Sequence, residues 1–221
     1  MPIVVKGTPE EQAIIERWFQ EICPGTRINP DTRQVEFTPA PEQDLTPSCC
    51  CISNLIRSAF VTTINPVRPD FVVPDSGGRT VRQLGGGATN PLNEGSTLRP
   101  RLGMEGRSPA GDGSGSDMFL DITDNGGRGY FVVDDQGNPI NDPMFLVLAH
   151  ELCTGHAYHN IRGTRALTPG TREQQAVEHE NQVRRSLRDA AGNPRFSERA
   201  GTEGGAVDPE GVVKARPPDR R

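Results

Sequence analysis

Six consecutive apolar residues, Met144 to Ala149, run straight into His150 and Glu151. A helix that is apolar on every side has to be buried. Buried, it must also supply a partner for the imidazole and the carboxylate at its end, because unpaired polar groups in a core are costly. Pro143 predicts the helix start, with Asn141 or Asp142 as its cap. His-Glu on such a helix is the first half of the pattern His-Glu-x-x-His. There two histidines four apart share a face and bind a metal, while the Glu activates the metal-bound water. Three of the chain's four histidines, His150, His156 and His159, fall between residues 150 and 159.

The second histidine is displaced. Thr154 stands four after His150, and His156 six after. At about 100° per residue, His156 on a regular helix would point about 120° away from His150. Either the helix breaks at Thr154-Gly155, where glycine permits it, and His156 returns to the metal, or His156 and His159, three apart, form the pair. Residues 171–188 read as a later helix, with Thr171 as cap. Glu173 and Glu180, seven apart, share a face there with Ala176 and Val177. One of them is expected to bind the metal and the other to hydrogen-bond a ligand histidine. The reading takes His150, His156 and Glu173 as the metal set. Glu180 and His159 are further ligands or hydrogen-bonding neighbours. Glu151 is the general base, and Tyr158 either a transition-state stabiliser or a packing residue.

Three stretches carry a family resemblance. They are Ala149-His150-Glu151-Leu152 followed by His156-Ala157-Tyr158-His159-Asn160, then Arg162-Gly163-Thr164, then Glu173-x-x-Ala176-Val177-x-x-Glu180-Asn181-x-x-Arg184. Together they resemble the bacterial effector metallopeptidases of the NleD type and related domains of type VI secretion spike and Rhs toxins. The likeness covers roughly residues 113–188. Those relatives usually read His-Glu-Leu-x-His-Ala, and here two extra residues precede His-Ala. The resemblance implies a zincin fold, Zn2+ as cofactor, His156 as second ligand, Glu151 as catalytic residue and Glu173 as downstream ligand. It also implies a protein substrate in a host or rival cell, with a secretion-system component or a cognate immunity protein as further partner.

The rest of the chain reads as α+β. Thr8, Pro9 and Glu11 predict a capped helix over 8–22, with Ile14, Trp18 and Ile22 as its apolar face. Two short strands, Arg27–Ile28 and Gln34–Phe37, flank an Asn-Pro-Asp turn. A second helix over 48–60 is capped by Ser48, and Asp70 to Val73 is strand-like. Met118–Ile122 and Tyr130–Val133 look like partners around Asp124-Asn125-Gly126-Gly127, and Asp135 to Asn138 is another turn. A single zincin-like domain is expected over 1–221. It comprises an N-terminal part (1–73), a Gly/Pro/Ser-rich loop (74–117) that is either a surface decoration or the border of a substrate cleft, a metal-site core (118–190) and an irregular tail (191–221).

A net charge of −5 and the lack of a basic stripe argue against nucleic acid as partner. No apolar run approaches the ~20 residues of a membrane helix, and the N-terminus has no signal-peptide pattern. The expected route is synthesis in a bacterial cytoplasm, then secretion or injection. The five cysteines, Cys23, Cys49, Cys50, Cys51 and Cys153, do not read as a disulfide framework, and are expected to be small buried groups in a reducing compartment. Two competing functions remain: a thiol hydrolase using Cys153 near His150 and His156, or a non-catalytic metal-binding or interaction module.

Overall fold

The computed structural model describes residues 3–39, 45–92, 113–153, 156–162 and 169–200, and only the backbone of 169–172. The architecture is α+β. A four-stranded sheet in the order β1-β4-β6-β5 is built from β1 (Ile3–Val5), β4 (Thr62–Val67), β6 (Ser116–Asp121) and β5 (Gly87–Pro91). β1, β4 and β6 run parallel, and β5 closes the edge antiparallel to β6. Two hairpins stand apart: β2 (Thr26–Ile28) with β3 (Val35–Phe37), and β7 (Tyr130–Val133) with β8 (Pro139–Asp142). The helices are α1 (Pro9–Ile22), α2 (Pro47–Arg57), α3 (Met144–Leu152), α4 (His156–Ile161) and α5 (Pro169–Ser186). None of the described helices is long and apolar enough to cross a membrane.

Every residue of α3 is buried. The helix packs against α1, α2, α5, β5 and β6, so the segment that ends in His150 and Glu151 lies within the core. One continuous apolar cluster joins Ile3 and Ile64 of the sheet, Phe19 of α1, Leu55 of α2, Leu148 of α3 and Val183 of α5.

α1 begins as its sequence predicts. Thr8 accepts from the Glu11 amide, and the Glu11 side chain accepts from the Thr8 amide. Its buried stripe is Ile15, Phe19 and Ile22, however, with Ile14 and Trp18 on the flank. α2 repeats the Thr-Pro start, and its cap lies two residues earlier than expected: Thr46, not Ser48, accepts from the Cys49 amide, with Pro47 in the first turn. α3 has no side-chain cap: Pro143, not Asn141 or Asp142, stands at the cap position, and Asp142 accepts from Arg184. α5 starts at Pro169, which puts Thr171 inside it.

Two strand expectations change. Asp70 to Val73 forms only an isolated bridge, Val72 to Thr80, while the preceding stretch supplies the long strand β4. Pro66 lies within it. β1 reaches only to Ile64, so the missing Pro66 amide lies past the strand that would have needed it. β6 and β7 are not partners. The Asp121 carboxylate accepts from Thr123 N and Oγ1, Asn125 N and the Tyr130 hydroxyl. Together with positive φ at Asp124, Asn125, Gly126 and Gly127, this turns the chain out of the sheet, and β7 pairs with β8 instead. The Gly/Pro/Ser-rich stretch contains β5, in keeping with a loop that carries a short strand, and residues 93–112 lie outside the described residues.

The cysteines overturn their expectation. Cys23 is bonded to Cys49 and Cys51 to Cys153, leaving Cys50 as an exposed thiol. On a helix, residues two apart point about 200° from each other. Cys49 and Cys51 therefore face different neighbours: the C-cap of α1 at Cys23, and the C-cap of α3 at Cys153. The run of adjacent cysteines is two staples on one helix. The Cys153 thiol is thereby removed from nucleophilic duty.

His179 on α5 is buried against Ser48 of α2, with 3.3 Å between Nε2 and Oγ. Burial, with the positive charge of His150, depresses its imidazole to about 4 from an ordinary 6.5. A depressed histidine favours the fold fully above the unfolded value, and loses that contribution as pH falls toward the folded one. Between pH 7 and pH 4, His179 should remove on the order of 2 kcal/mol of stability. Calorimetry of His179→Gln should show a flatter decline of Tm over that window than the parent chain. Superimposable pH profiles would contradict the assignment.

Candidate metal centre

α3 ends at Leu152, and Cys153 at its C-cap is extended (φ −104°, ψ 120°). A new helix, α4, begins at His156. The expected break is therefore present. It brings the His150 and His156 rings to a centroid distance of 6.0 Å. Thr154 and Gly155 themselves lie outside the described residues. From α5, Glu173 reaches both rings: its Oε1 is 3.6 Å from His150 Nε2 and its Oε2 3.8 Å from His156 Nε2. One donor atom each from His150, His156 and Glu173 lies within 4.8 Å of the other two, so the three could hold a metal ion. Donors about 2.1 Å from a tetrahedral zinc stand about 3.4 Å from one another, so three donors within 4.8 Å of each other would draw together on binding one.

Glu180 settles into the neighbouring role. About two helical turns beyond Glu173, its Oε2 lies 3.1 Å from His150 Nδ1 and so leaves Nε2 turned toward Glu173. A carboxylate on the rear nitrogen of a ligand histidine fixes the tautomer and ring plane. Two arginines hold Glu180 in turn. Arg184 Nε donates to Oε1 and Arg199 Nη1 to Oε2, both at 2.9 Å. Burial opposes the charge on Glu180, but the His150 hydrogen bond and the arginines outweigh it and hold the carboxyl below its ordinary range. Burial likewise opposes charge on His150, yet the hydrogen bonds to Glu173 and Glu180 raise it to about 10.

Glu151 points into the same cleft, a concavity of about 460 Å³ lined also by His150, His156, Glu173, Tyr130 and Arg199. Thr89 of β5 donates to Glu151 Oε2 at 2.7 Å. β5 comes so close that a Cβ on Gly87 would stand 2.7 Å from Val147 Cγ1 and 3.0 Å from Glu151 Cγ. Only glycine allows the edge strand to run against the helix there. The described first part of the Gly/Pro/Ser-rich stretch, through Asn90, thus borders the cleft.

Two other candidates sit elsewhere. His159 is buried on α4, beside the Tyr158 ring, and is not in the donor group. The Tyr158 hydroxyl accepts from Arg162 Nη1 at 2.6 Å, and Tyr158 does not line the cleft. Sequence reasoning missed Thr89, Gly87 and Arg199. Arg199 comes from the stretch expected to be irregular tail, and its backbone is clamped to α5 by Asn181 through two hydrogen bonds of 2.7 and 2.9 Å. Its Nη2 lies 3.5 Å from Glu173 Oε1. The run Gly85-Gly86-Gly87 before Ala88-Thr89 was the one local hint of a close-packed edge. Nothing local marks Arg199.

No family model matches the chain, and neither does any curated protein or solved structure.

Proposed function

We propose that this chain is a metal-dependent hydrolase. More particularly, we infer a zinc endopeptidase with a zincin-like arrangement, in which His150, His156 and Glu173 hold the ion and Glu151 is the general base. The observation that carries this reading is the convergence of two imidazoles and a carboxylate from three helices, with a buried carboxylate behind one imidazole and a second glutamate in the same cleft. Zinc held there would polarise a scissile carbonyl and acidify a bound water. Glu151, oriented by Thr89, would be the group to accept a proton from the attacking water and deliver it to the leaving amine. Glu180, fixed by Arg184 and Arg199, keeps His150 in the tautomer that presents Nε2. The sequence resemblance supports a secreted or injected effector that cleaves a protein of a host or rival cell, with a cognate immunity protein or secretion-system component as further partner.

Metal analysis tests the ligand set. The parent chain should bind one zinc per molecule, and Glu173→Ala and His156→Ala should lose at least 90% of it under the same dialysis, roughly the tenfold or greater weakening expected when a site loses an anchoring group. Casein cleavage should vanish with a chelator and return with zinc. Because zinc must displace the proton held on His150, affinity should also rise about tenfold per pH unit between pH 6 and 8. Zinc bound stoichiometrically without any peptidase activity would instead favour a non-catalytic metal module.

A further inference from the structure

The Cys51–Cys153 disulfide is attached where the metal site is most fragile. Cys153 stands three residues after His150 and three before His156, at the break between α3 and α4. The bond joins that break to α2, across 102 residues of sequence. Both cysteines are buried, at 7% and 0% exposure. α4 has only six residues, too few to be stable alone, so its placement depends on what holds its ends. Near its C-terminal end, Asn160 donates to Ser116 Oγ at 2.9 Å and its carbonyl accepts from Ser114 N at 2.9 Å, which ties α4 to the start of β6. On the N-terminal side, where His156 lies, the covalent tie is Cys153.

We infer that the Cys51–Cys153 pair is a redox clasp on the metal site, which binds its ion tightly when the disulfide is formed and weakly when it is reduced. The inference rests on the metal reading of His150, His156 and Glu173. In the reductive step a dithiol attacks the disulfide. The Sγ–Sγ bond breaks, two thiols form at Cys51 and Cys153, and the reagent departs as its own disulfide; oxidation reverses each change. With the clasp open, the chain on either side of the break samples more conformations, and His156 stands opposite Glu173 for a smaller fraction of the time. Apparent affinity falls in proportion to that fraction. Chain made in a reducing compartment would hold zinc loosely, and would tighten its grip after passing to an oxidising one.

The experiment measures zinc affinity of the full chain by competition with a chromophoric chelator, before and after reduction with a phosphine that does not itself bind zinc. Thiols are counted by alkylation and mass spectrometry, and far-UV circular dichroism verifies the fold. Reduction, and separately the double change Cys51→Ser with Cys153→Ser, should weaken zinc at least tenfold. The double change Cys23→Ser with Cys49→Ser should stay within about threefold. By linkage, zinc should shift the thiol–disulfide equilibrium of Cys51–Cys153 by the same tenfold factor, about 30 mV for a two-electron couple. Should the Cys51/Cys153 variant fail to fold, this zinc-dependent shift, measured on the unmodified chain, decides the matter. Equal zinc affinity in the oxidised and reduced forms would overturn the clasp and leave the metal site standing. Equal weakening in both double variants would overturn it too, by showing general loosening. Failure of the oxidised chain to bind zinc would overturn both readings.

Discussion

Glu151→Gln should leave one zinc per molecule and an unchanged fold, while casein cleavage falls by roughly 10²- to 10⁴-fold, the span of a lost general base. The amide has the shape of the carboxylate, and its carbonyl oxygen can still accept from Thr89 Oγ1, whose donor distance to Glu151 Oε2 is 2.7 Å. It opens no cavity beside Gly87, which runs close against both Val147 and Glu151. What it cannot do is take a proton. The loss should therefore appear in turnover, with KM little changed, since the metal-binding atoms and cleft walls remain. Zinc content by atomic absorption and the melting temperature are the controls. Parent-level cleavage by the glutamine variant would remove Glu151 from the mechanism.

Arg184→Ala should be the most damaging single change to stability, lowering it by about 3–5 kcal/mol, the usual effect of leaving buried charges without their partner. Arg184 is fully buried. It donates to Glu180 Oε1 at 2.9 Å, to the Asn141 carbonyl at 3.0 Å, to the Ser197 carbonyl at 3.2 Å and to Asp142 Oδ1 at 2.6 Å. One guanidinium thus joins α5 to β8 and to the segment that carries Arg199. Without it, Asp142 and Glu180 face each other in the interior, where burial and the charge of Glu180 already push the Asp142 carboxyl upward. Lysine is a poor substitute because one ammonium cannot span four acceptors held in a plane. For a chain of this size the Tm should fall by roughly 6–20 °C. Adding Asp142→Asn should recover part of it by removing one of the stranded charges. A loss below about 1 kcal/mol in urea unfolding would show that the network is not what holds α5 in place.

The parts of this molecule that were legible in advance are those whose causes lie within one or two helical turns. Thr8, Pro9 and Glu11 form a capping box because its donors and acceptors are three residues apart. The burial of α3 follows from six apolar residues in a row. The break before His156 follows from the angle that an unbroken helix would impose. The turn at Asp135 to Asn138 was equally plain, and it closes the β7–β8 hairpin.

Partner choice was not legible, because it is decided between residues far apart in the chain. β7 has the same alternating pattern whether it pairs with β6 or β8, and the Asp121 hydrogen bonds that divert it appear only once Tyr130 is in place. Three adjacent cysteines look unfit for disulfides until α2 is set between the ends of α1 and α3. Glu173 and Glu180 are equivalent on a helical wheel. The approach of α5 to α3 puts the first before the Nε2 atoms and the second behind His150.

By itself, then, the sequence singled out the residues of the proposed site: His150, Glu151, His156 and a glutamate from the helix over 171–188, marked by local spacing and by the need of buried polar groups for partners. Only the tertiary structure decided their roles, and only it recruited Thr89, Arg199 and the Cys51–Cys153 bond. Periodicity fixes directions within one element. Which elements meet is set by packing across the whole core.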